Sequence, residues 1–173
     1  VGPHLEQRLK TARALGDASA LEVLGNEFHF LPAAEAARNH AADLYRDRGA
    51  YVQAASLLQA MLRDRQGGLS PDRTAGQASS GTAENGRING AVLLGKLAHT
   101  LMADGQFAAA EGIVERLRKQ HGGEQVRYGG DTLTGARLAE RLQLRLERGQ
   151  AAAVRAAKTG GAGLLWLSGG KVK

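Results

Sequence analysis

The chain has 173 residues and a net charge of +6, and 43% of its residues are hydrophobic but only 4% are aromatic. This length suits one domain with a substantial core, and the absence of cysteine excludes disulfides, thiol nucleophiles and thiolate metal sites. Alanine and leucine supply most of the apolar content, which favours closely packed helices, and no apolar run approaches the roughly 20 residues of a membrane span.

The first two helical patterns meet at Gly16. Before this glycine, apolar residues recur at helical spacing, at Leu5, Leu9, Ala12 and Leu15. After it, the stretch ALEVL begins a second apolar pattern. Glycine ends a helix at little cost because it adopts the left-handed conformation readily. The segment is therefore predicted to be a helix–turn–helix hairpin.

Two further hairpins are predicted around Gly49 and Gly105. The first helices cover about 33–48 and 89–104, and each glycine is followed by a stripe that opens on an aromatic residue, Tyr51 or Phe107. The two stripes correspond position by position, pairing Ala54 with Ala110, Leu57 with Ile113, Leu58 with Val114 and Met61 with Leu117. The same packing is thus expected twice.

Segment 64–86 separates these hairpins. It is rich in Gly, Ser, Thr and Ala, and offers little to bury beyond Leu69. We predict a long flexible insert, because added loop length costs little stability. A shorter connection with several glycines, 121–132, follows the third hairpin.

A fourth, weaker hairpin is predicted with its turn at Gly149, after a stripe through Leu138, Leu142 and Leu146. Gly160, Gly161 and Gly163 then indicate the end of helical structure, and LLWLS reads as a short strand-like run. We expect a helical domain over 1–159 and a tail or linker over 160–173.

The repeated phrase resembles the tetratricopeptide repeat, a helical hairpin of about 34 residues. The second hairpin carries it best, and its matching positions are Ala42, Tyr45, Gly49, Tyr51, Ala54, Leu58 and Met61. Pro32 lies where the family often places a proline, whereas Arg38 stands where a large aromatic is usual. The resemblance implies an all-α fold, a right-handed α-solenoid of about four antiparallel hairpins with an inner groove.

For function, the resemblance implies a non-enzymatic scaffolding module that binds a peptide, a protein or another domain of the same chain. Groove residues in this family lie on the first helix of each hairpin, which here gives Lys10, Arg13, Asn39, Asp43, Arg46, Lys96 and His99. The family's clamp for a peptide C-terminus is incomplete, since Gly95 and Ala139 stand at groove positions. That ligand is not predicted.

Catalytic and metal-binding patterns are not found in the sequence, and no cofactor is predicted. GAVLLGKL, from Gly90, begins like a phosphate-binding loop, but Leu97 stands where Ser or Thr is needed and no buried strand precedes it. The five histidines show no metal-ligand spacing, and no serine lies in a G-x-S-x-G setting.

The basic balance leaves one alternative open, a nucleic-acid or anionic-surface binder. Its arginines cluster on the first helix, near 116–127, and along the penultimate helix at Arg137, Arg141, Arg145 and Arg148. Against this, Glu115, Glu140 and Glu147 are interleaved with them, and aromatic residues for base stacking are missing.

The first residue is Val1, so we expect a fragment of a longer protein, whose compartment the sequence leaves open. The overall pattern is also similar to helical regions that precede a β-propeller of the pyrroloquinoline-quinone type in large bacterial proteins. That likeness implies one part of a bacterial multidomain protein.

Overall fold

The computed structural model describes residues 2–29, 31–67 and 88–167, and these are mostly helical. The helices and strands follow in chain order as α1 Gly2–Ala14, α2 Ala18–Glu27, α3 Pro32–Asp47, α4 Tyr51–Gly67, α5 Gly90–Ala103, α6 Phe107–His121, β1 Gln125–Tyr128, β2 Asp131–Thr134 and α7 Gly135–Leu167. Each helix packs mainly on the one before it and the one after it, with additional contacts between α1 and α3 and between α5 and α7.

The three predicted turns at Gly16, Gly49 and Gly105 are confirmed. Each glycine has a positive φ, of 61°, 75° and 76°. In each case the next residue donates its backbone N–H to the carbonyl five residues earlier, from Asp17 to Ala12, from Ala50 to Tyr45 and from Gln106 to Leu101. This pattern satisfies carbonyls at the helix end and requires a left-handed residue, which glycine provides without strain.

The repeat is also confirmed in the core. Three of the equivalent apolar pairs of α4 and α6 are buried alike, Ala54 with Ala110, Leu58 with Val114 and Met61 with Leu117, whereas in the fourth pair Leu57 is buried and Ile113 is only half-buried. Tyr51 and Phe107 are the first residues of these two helices and are both half-buried. In the first hairpin, Leu5, Leu9 and Ala12 are buried as predicted, but Leu15 is 74% exposed because it lies in the turn after α1.

The predicted fourth turn, at Gly149, is wrong. Helix α7 runs without a break through this residue. A Cβ built on Gly149 would lie only 2.8 Å from Cε1 of Phe107. The glycine therefore gives room to a ring from α6, and its role is in packing rather than in a turn. Three helix–turn–helix pairs and one long helix replace the four predicted hairpins.

Two other predictions of local structure are also corrected. Helix α7 continues to Leu167 through Gly160, Gly161 and Gly163, so the backbone there is helical rather than strand-like. The predicted insert begins later than expected, since Asp64 and Arg65 lie in α4 and form ion pairs with Arg38 and Glu35 of α3. The rest of the predicted insert, 68–86, lies outside the described residues.

The glycine-containing connection after α6 forms a β-hairpin that the sequence reading missed. Strands β1 and β2 pair antiparallel, from Gln125 with Thr134 to Tyr128 with Asp131. The two turn residues, Gly129 and Gly130, have φ of 61° and 93°, as a two-residue hairpin of the tightest kind requires. Val126 is 1% exposed and joins the helical core, so the hairpin is fastened to the domain.

Arg38 is buried in the core, where its charged end and its aliphatic stem both have partners. Its guanidinium NH1 donates to Asp64 Oδ2 at 2.6 Å, and the residue is only 4% exposed. Its aliphatic stem packs where a Cβ on Gly25 of α2 would stand. The arginine thus fills an aromatic-sized space between helices, and Asp64 neutralises its charge.

Candidate functional site

A network of polar side chains links α3 to α5. Asn39, Asp43 and Arg46 lie on one face of α3 because they are spaced by one helical turn. From α5, Lys96 Nζ donates to Asn39 Oδ1 at 2.8 Å and to Asp43 Oδ2 at 2.6 Å. The Lys96 side chain is only 17% exposed, so these bonds hold an ammonium group in a half-buried setting. Residues predicted from two separate hairpins therefore meet.

Arg46 lies at the rim of this network and is held loosely. Its NH1 is 3.5 Å from Asp43 Oδ1, and its NH2 is 3.5 Å from Asp47 Oδ1. Both distances exceed those of good charge-assisted hydrogen bonds. The Arg46 guanidinium can therefore turn toward a ligand at little cost.

His99 follows Lys96 by one turn of α5 and contacts α7 through Arg145. NH1 of Arg145 meets Nε2 of His99. Because a guanidinium can only donate, the histidine nitrogen must be the acceptor, which requires the neutral ring. Burial lowers the pKa of His99 from its ordinary value, and the nearby charges of Arg145 and Arg46 lower it further. The neutral tautomer keeps its proton on Nδ1.

Tyr128 of the β-hairpin packs against the same face of α5. A Cβ on Gly95 would lie 3.0 Å from Tyr128 Cε2 and 3.2 Å from Leu138 Cδ2, so only glycine lets the ring approach this closely. Burial raises the pKa of the Tyr128 phenol, whereas the charges of Arg46 and Arg145 oppose that rise. The phenol thus lies within the field of both guanidiniums. Its hydroxyl makes no hydrogen bond to any residue that the structure describes.

We call this set of side chains the inner cluster, and it consists of Asn39, Asp43, Arg46, Lys96, His99, Tyr128 and Arg145. Five of its seven members were predicted as groove residues from the first-helix rule. Tyr128 was missed because 121–132 was read as a connecting loop, although the pair Gly129–Gly130 between QVRY and DTLT is typical of a two-residue β-hairpin. Arg145 was read as part of a basic helix face, and its approach to His99 depends on how α7 packs on α5.

Lys10 and Arg13, the other two predicted groove residues, lie apart from the inner cluster. Both are exposed on α1, which packs on α2 and touches α3. Among the described residues, neither forms a hydrogen bond or an ion pair with a cluster member. They stay a prediction for the groove, with no contact that joins them to it.

The inner cluster, taken together with Asp47, which faces Arg46 from outside it, carries one surplus positive charge. Arg46, Lys96 and Arg145 face two carboxylates, Asp43 and Asp47, and His99 is neutral. Over residues 2–29, 31–67 and 88–167, the acidic, histidine and cysteine side chains nowhere gather in threes as a metal site needs. Nor, in that part of the chain, is any helix both apolar and long enough to cross a bilayer. The chemistry that the cluster offers is hydrogen bonding and charge pairing.

Three exposed arginines outside the inner cluster, among the described residues, pair with carboxylates on their own surface. Arg137 bonds Glu140 at 3.0 Å, Arg141 bonds Asp131 at 2.7 Å and Arg118 bonds Glu115 at 2.7 Å. These are exposed pairs of modest strength. They nevertheless place a carboxylate beside each guanidinium and so lower the local positive potential.

Comparison with models of protein families, with curated proteins and with solved structures finds no match to this chain. The resemblance to tetratricopeptide repeats therefore stays a prediction from the repeated turns and stripes.

Proposed function

We propose that the chain is a non-enzymatic protein-interaction module that holds a peptide or a protein domain against the inner cluster. The observation that supports this most is the convergence of polar side chains from α3, α5, α7 and β1 on one half-buried face. Interaction surfaces place such groups where a partner removes the remaining water. The half-buried Arg46 and the exposed Arg145 supply donors beside the bonded set formed by Lys96, Asn39 and Asp43.

The helix arrangement supports the same proposal. Each helix contacts its sequence neighbours, and additional contacts join α1 to α3 and α5 to α7. Such contacts are expected when helical pairs stack in one direction. We accordingly propose a right-handed α-solenoid of the tetratricopeptide type, closed at one end by α7. A crystal structure in which α1, α3 and α5 do not line a common surface would refute this arrangement.

The test should target Arg46 and Arg145 rather than Lys96. A carboxylate at position 96 would face Asp43, whose Oδ2 lies 2.6 Å from Lys96 Nζ, and would damage the fold as well as the surface. Arg46→Ala and Arg145→Ala each remove a guanidinium and leave the bonds among Lys96, Asn39 and Asp43 intact. Arg148→Ala is the matched control, because Arg148 is exposed on α7, the helix that carries Arg145, and has no ion pair among the described residues.

A displayed library of random peptides, each acetylated and amidated at its ends, provides a defined probe. We expect the wild-type chain to enrich a family of sequences, the control variant to retain that enrichment, and the two cluster variants to lose it with unchanged helical circular dichroism. Failure of the wild type to enrich any sequence, or equal enrichment by all four proteins, would refute the proposal for this surface.

Nucleic-acid or anionic-surface binding remains the alternative, with less support from the structure. Of its arginines at 137, 141 and 145, the first two are paired with the carboxylates of Glu140 and Asp131, whereas Arg145 contacts the ring of His99. Fluorescence anisotropy with random duplex DNA over a range of salt separates the two functions. Binding that weakens steeply with salt and is abolished by alanine at these three positions would favour the alternative.

A further inference from the structure

The inner cluster divides into groups that are already bonded and groups that are still available. Lys96, Asn39 and Asp43 satisfy one another. The available donors are the loosely held Arg46 guanidinium, the exposed Arg145 guanidinium and the hydroxyl of Tyr128, which has no partner among the described residues. All of them donate, so the ligand group that they match is an acceptor.

These donors are connected by a series of contacts through residues of α5. Arg145 reaches His99, and Lys96, one turn earlier on α5, reaches Asp43, which faces Arg46. Tyr128 packs on Gly95, the residue next to Lys96. The two guanidiniums, one from α3 and one from α7, therefore both lie near α5, and both act electrostatically on His99 and on the phenol of Tyr128.

Charge and hydrogen-bonding geometry restrict the chemical class of the acceptor group further. One surplus positive charge complements a monoanion, which favours a carboxylate over a doubly charged phosphate. Two guanidinium forks suit the two oxygens of a carboxylate. A run of backbone carries no net charge, so a charged side-chain tip complements the surplus better than backbone does.

We propose that the inner cluster recognises an aspartate or glutamate side chain within a partner peptide, and that Arg46, Arg145 and Tyr128 hold its carboxylate. This inference rests on the proposed function, and it adds the chemistry of the partner. The cluster is then a selectivity site, where a neutral residue of the partner leaves the surplus charge uncompensated.

Peptides enriched by the wild-type chain provide the probe, and their affinities are measured by fluorescence anisotropy after labelling. Replacing the enriched acidic residue by glutamine should weaken binding about tenfold or more, as expected for loss of a charge-assisted contact. Arg145→Ala should weaken the acidic peptide to the same level and leave the glutamine peptide unchanged. Arg145→Lys should recover part of the affinity because it restores charge without the fork.

Tyr128→Phe removes only the hydroxyl and should cost a smaller factor, again only for the acidic peptide. Peptides enriched without any preference for Asp or Glu would overturn the inference and leave the proposed function standing, whereas no enrichment at all would overturn both.

Discussion

Two helical glycines with opposite surroundings allow a direct test of how α6 and α7 pack. Gly112 in α6 is exposed, and no described atom outside its own helix lies within 4 Å of the Cβ that alanine would add. Gly149 in α7 is half-buried, and its added Cβ would lie 2.8 Å from Cε1 of Phe107. The same substitution, glycine to alanine, therefore meets open space at one site and an aromatic ring at the other.

The expected free energies follow from two opposing effects. Alanine in a helix interior stabilises by about 0.5–1 kcal/mol relative to glycine, and this gain applies at both sites. At Gly149 the ring of Phe107 must move outward, and overpacking of this kind costs about 1–3 kcal/mol. We expect Gly112→Ala to raise the free energy of unfolding by up to about 1 kcal/mol, and Gly149→Ala to lower it by about 0.5–2 kcal/mol.

Urea denaturation followed by circular dichroism measures both values, and an unchanged m-value shows that the denatured state is not affected. Phe107→Leu provides the coupling test, because a smaller side chain at 107 should let alanine at 149 recover part of its helical gain. If Gly149→Ala stabilises the chain as much as Gly112→Ala does, Phe107 does not pack against Gly149 and the packing role given to this glycine is wrong.

Two more predictions concern charge. Asp64→Asn leaves the guanidinium of Arg38, a 4% exposed residue, without its carboxylate. We expect the free energy of unfolding to fall by about 1–3 kcal/mol, moderated because the Asp64 side chain is 48% exposed. The control Glu111→Gln, at an exposed position of α6, should change it by less than about 0.5 kcal/mol, and equal effects of the two variants in urea denaturation would contradict a buried role for Arg38. Folding lowers the pKa of His99 from 6.5, through burial first and the arginine charges second, so the unfolded chain binds the proton more readily. The neutral ring's contribution to stability is therefore fully present above pH 6.5 and declines as the pH falls through that value toward the lower folded pKa. Melting temperatures of the wild type and His99→Gln should therefore converge with acidification below pH 6.5, and parallel curves would show that the ring is equally easy to protonate in both states.

The sequence predicted those parts of the fold that depend on neighbours along the chain. A glycine followed by an aromatic residue and an alanine-rich stripe identified the turns at Gly49 and Gly105, because both the turn and the stripe are local. Gly149 lacks the aromatic residue that follows the other two, but so does Gly16, whose turn is confirmed, so this feature does not separate the two cases. A glycine that ends a helix and a glycine that accommodates a ring look alike in one dimension, and the ring that distinguishes them belongs to another helix.

The candidate site was predictable only in part for the same reason. The first-helix rule identified Lys96 and Asp43, but it could not show that they bind each other across 53 residues of chain. Tyr128 lies in a connection whose order depends on Val126 reaching the core, and Arg145 is placed by the contact of α7 with α5. Long-range packing decides which of the polar residues become neighbours.

The packing of each helix on its sequence neighbours has a consequence for how the chain folds. Such contacts close short loops, so little chain entropy is lost before each contact forms, and folding should be fast for a chain of this length. Opening is local for the same reason, since an end helix can detach without disturbing the middle. In the part of the chain that the structure describes, helix α1 packs mainly on α2 and touches α3, so its amides should exchange with solvent deuterium ahead of those of α5, which is held by α4, α6, α7 and the β-hairpin.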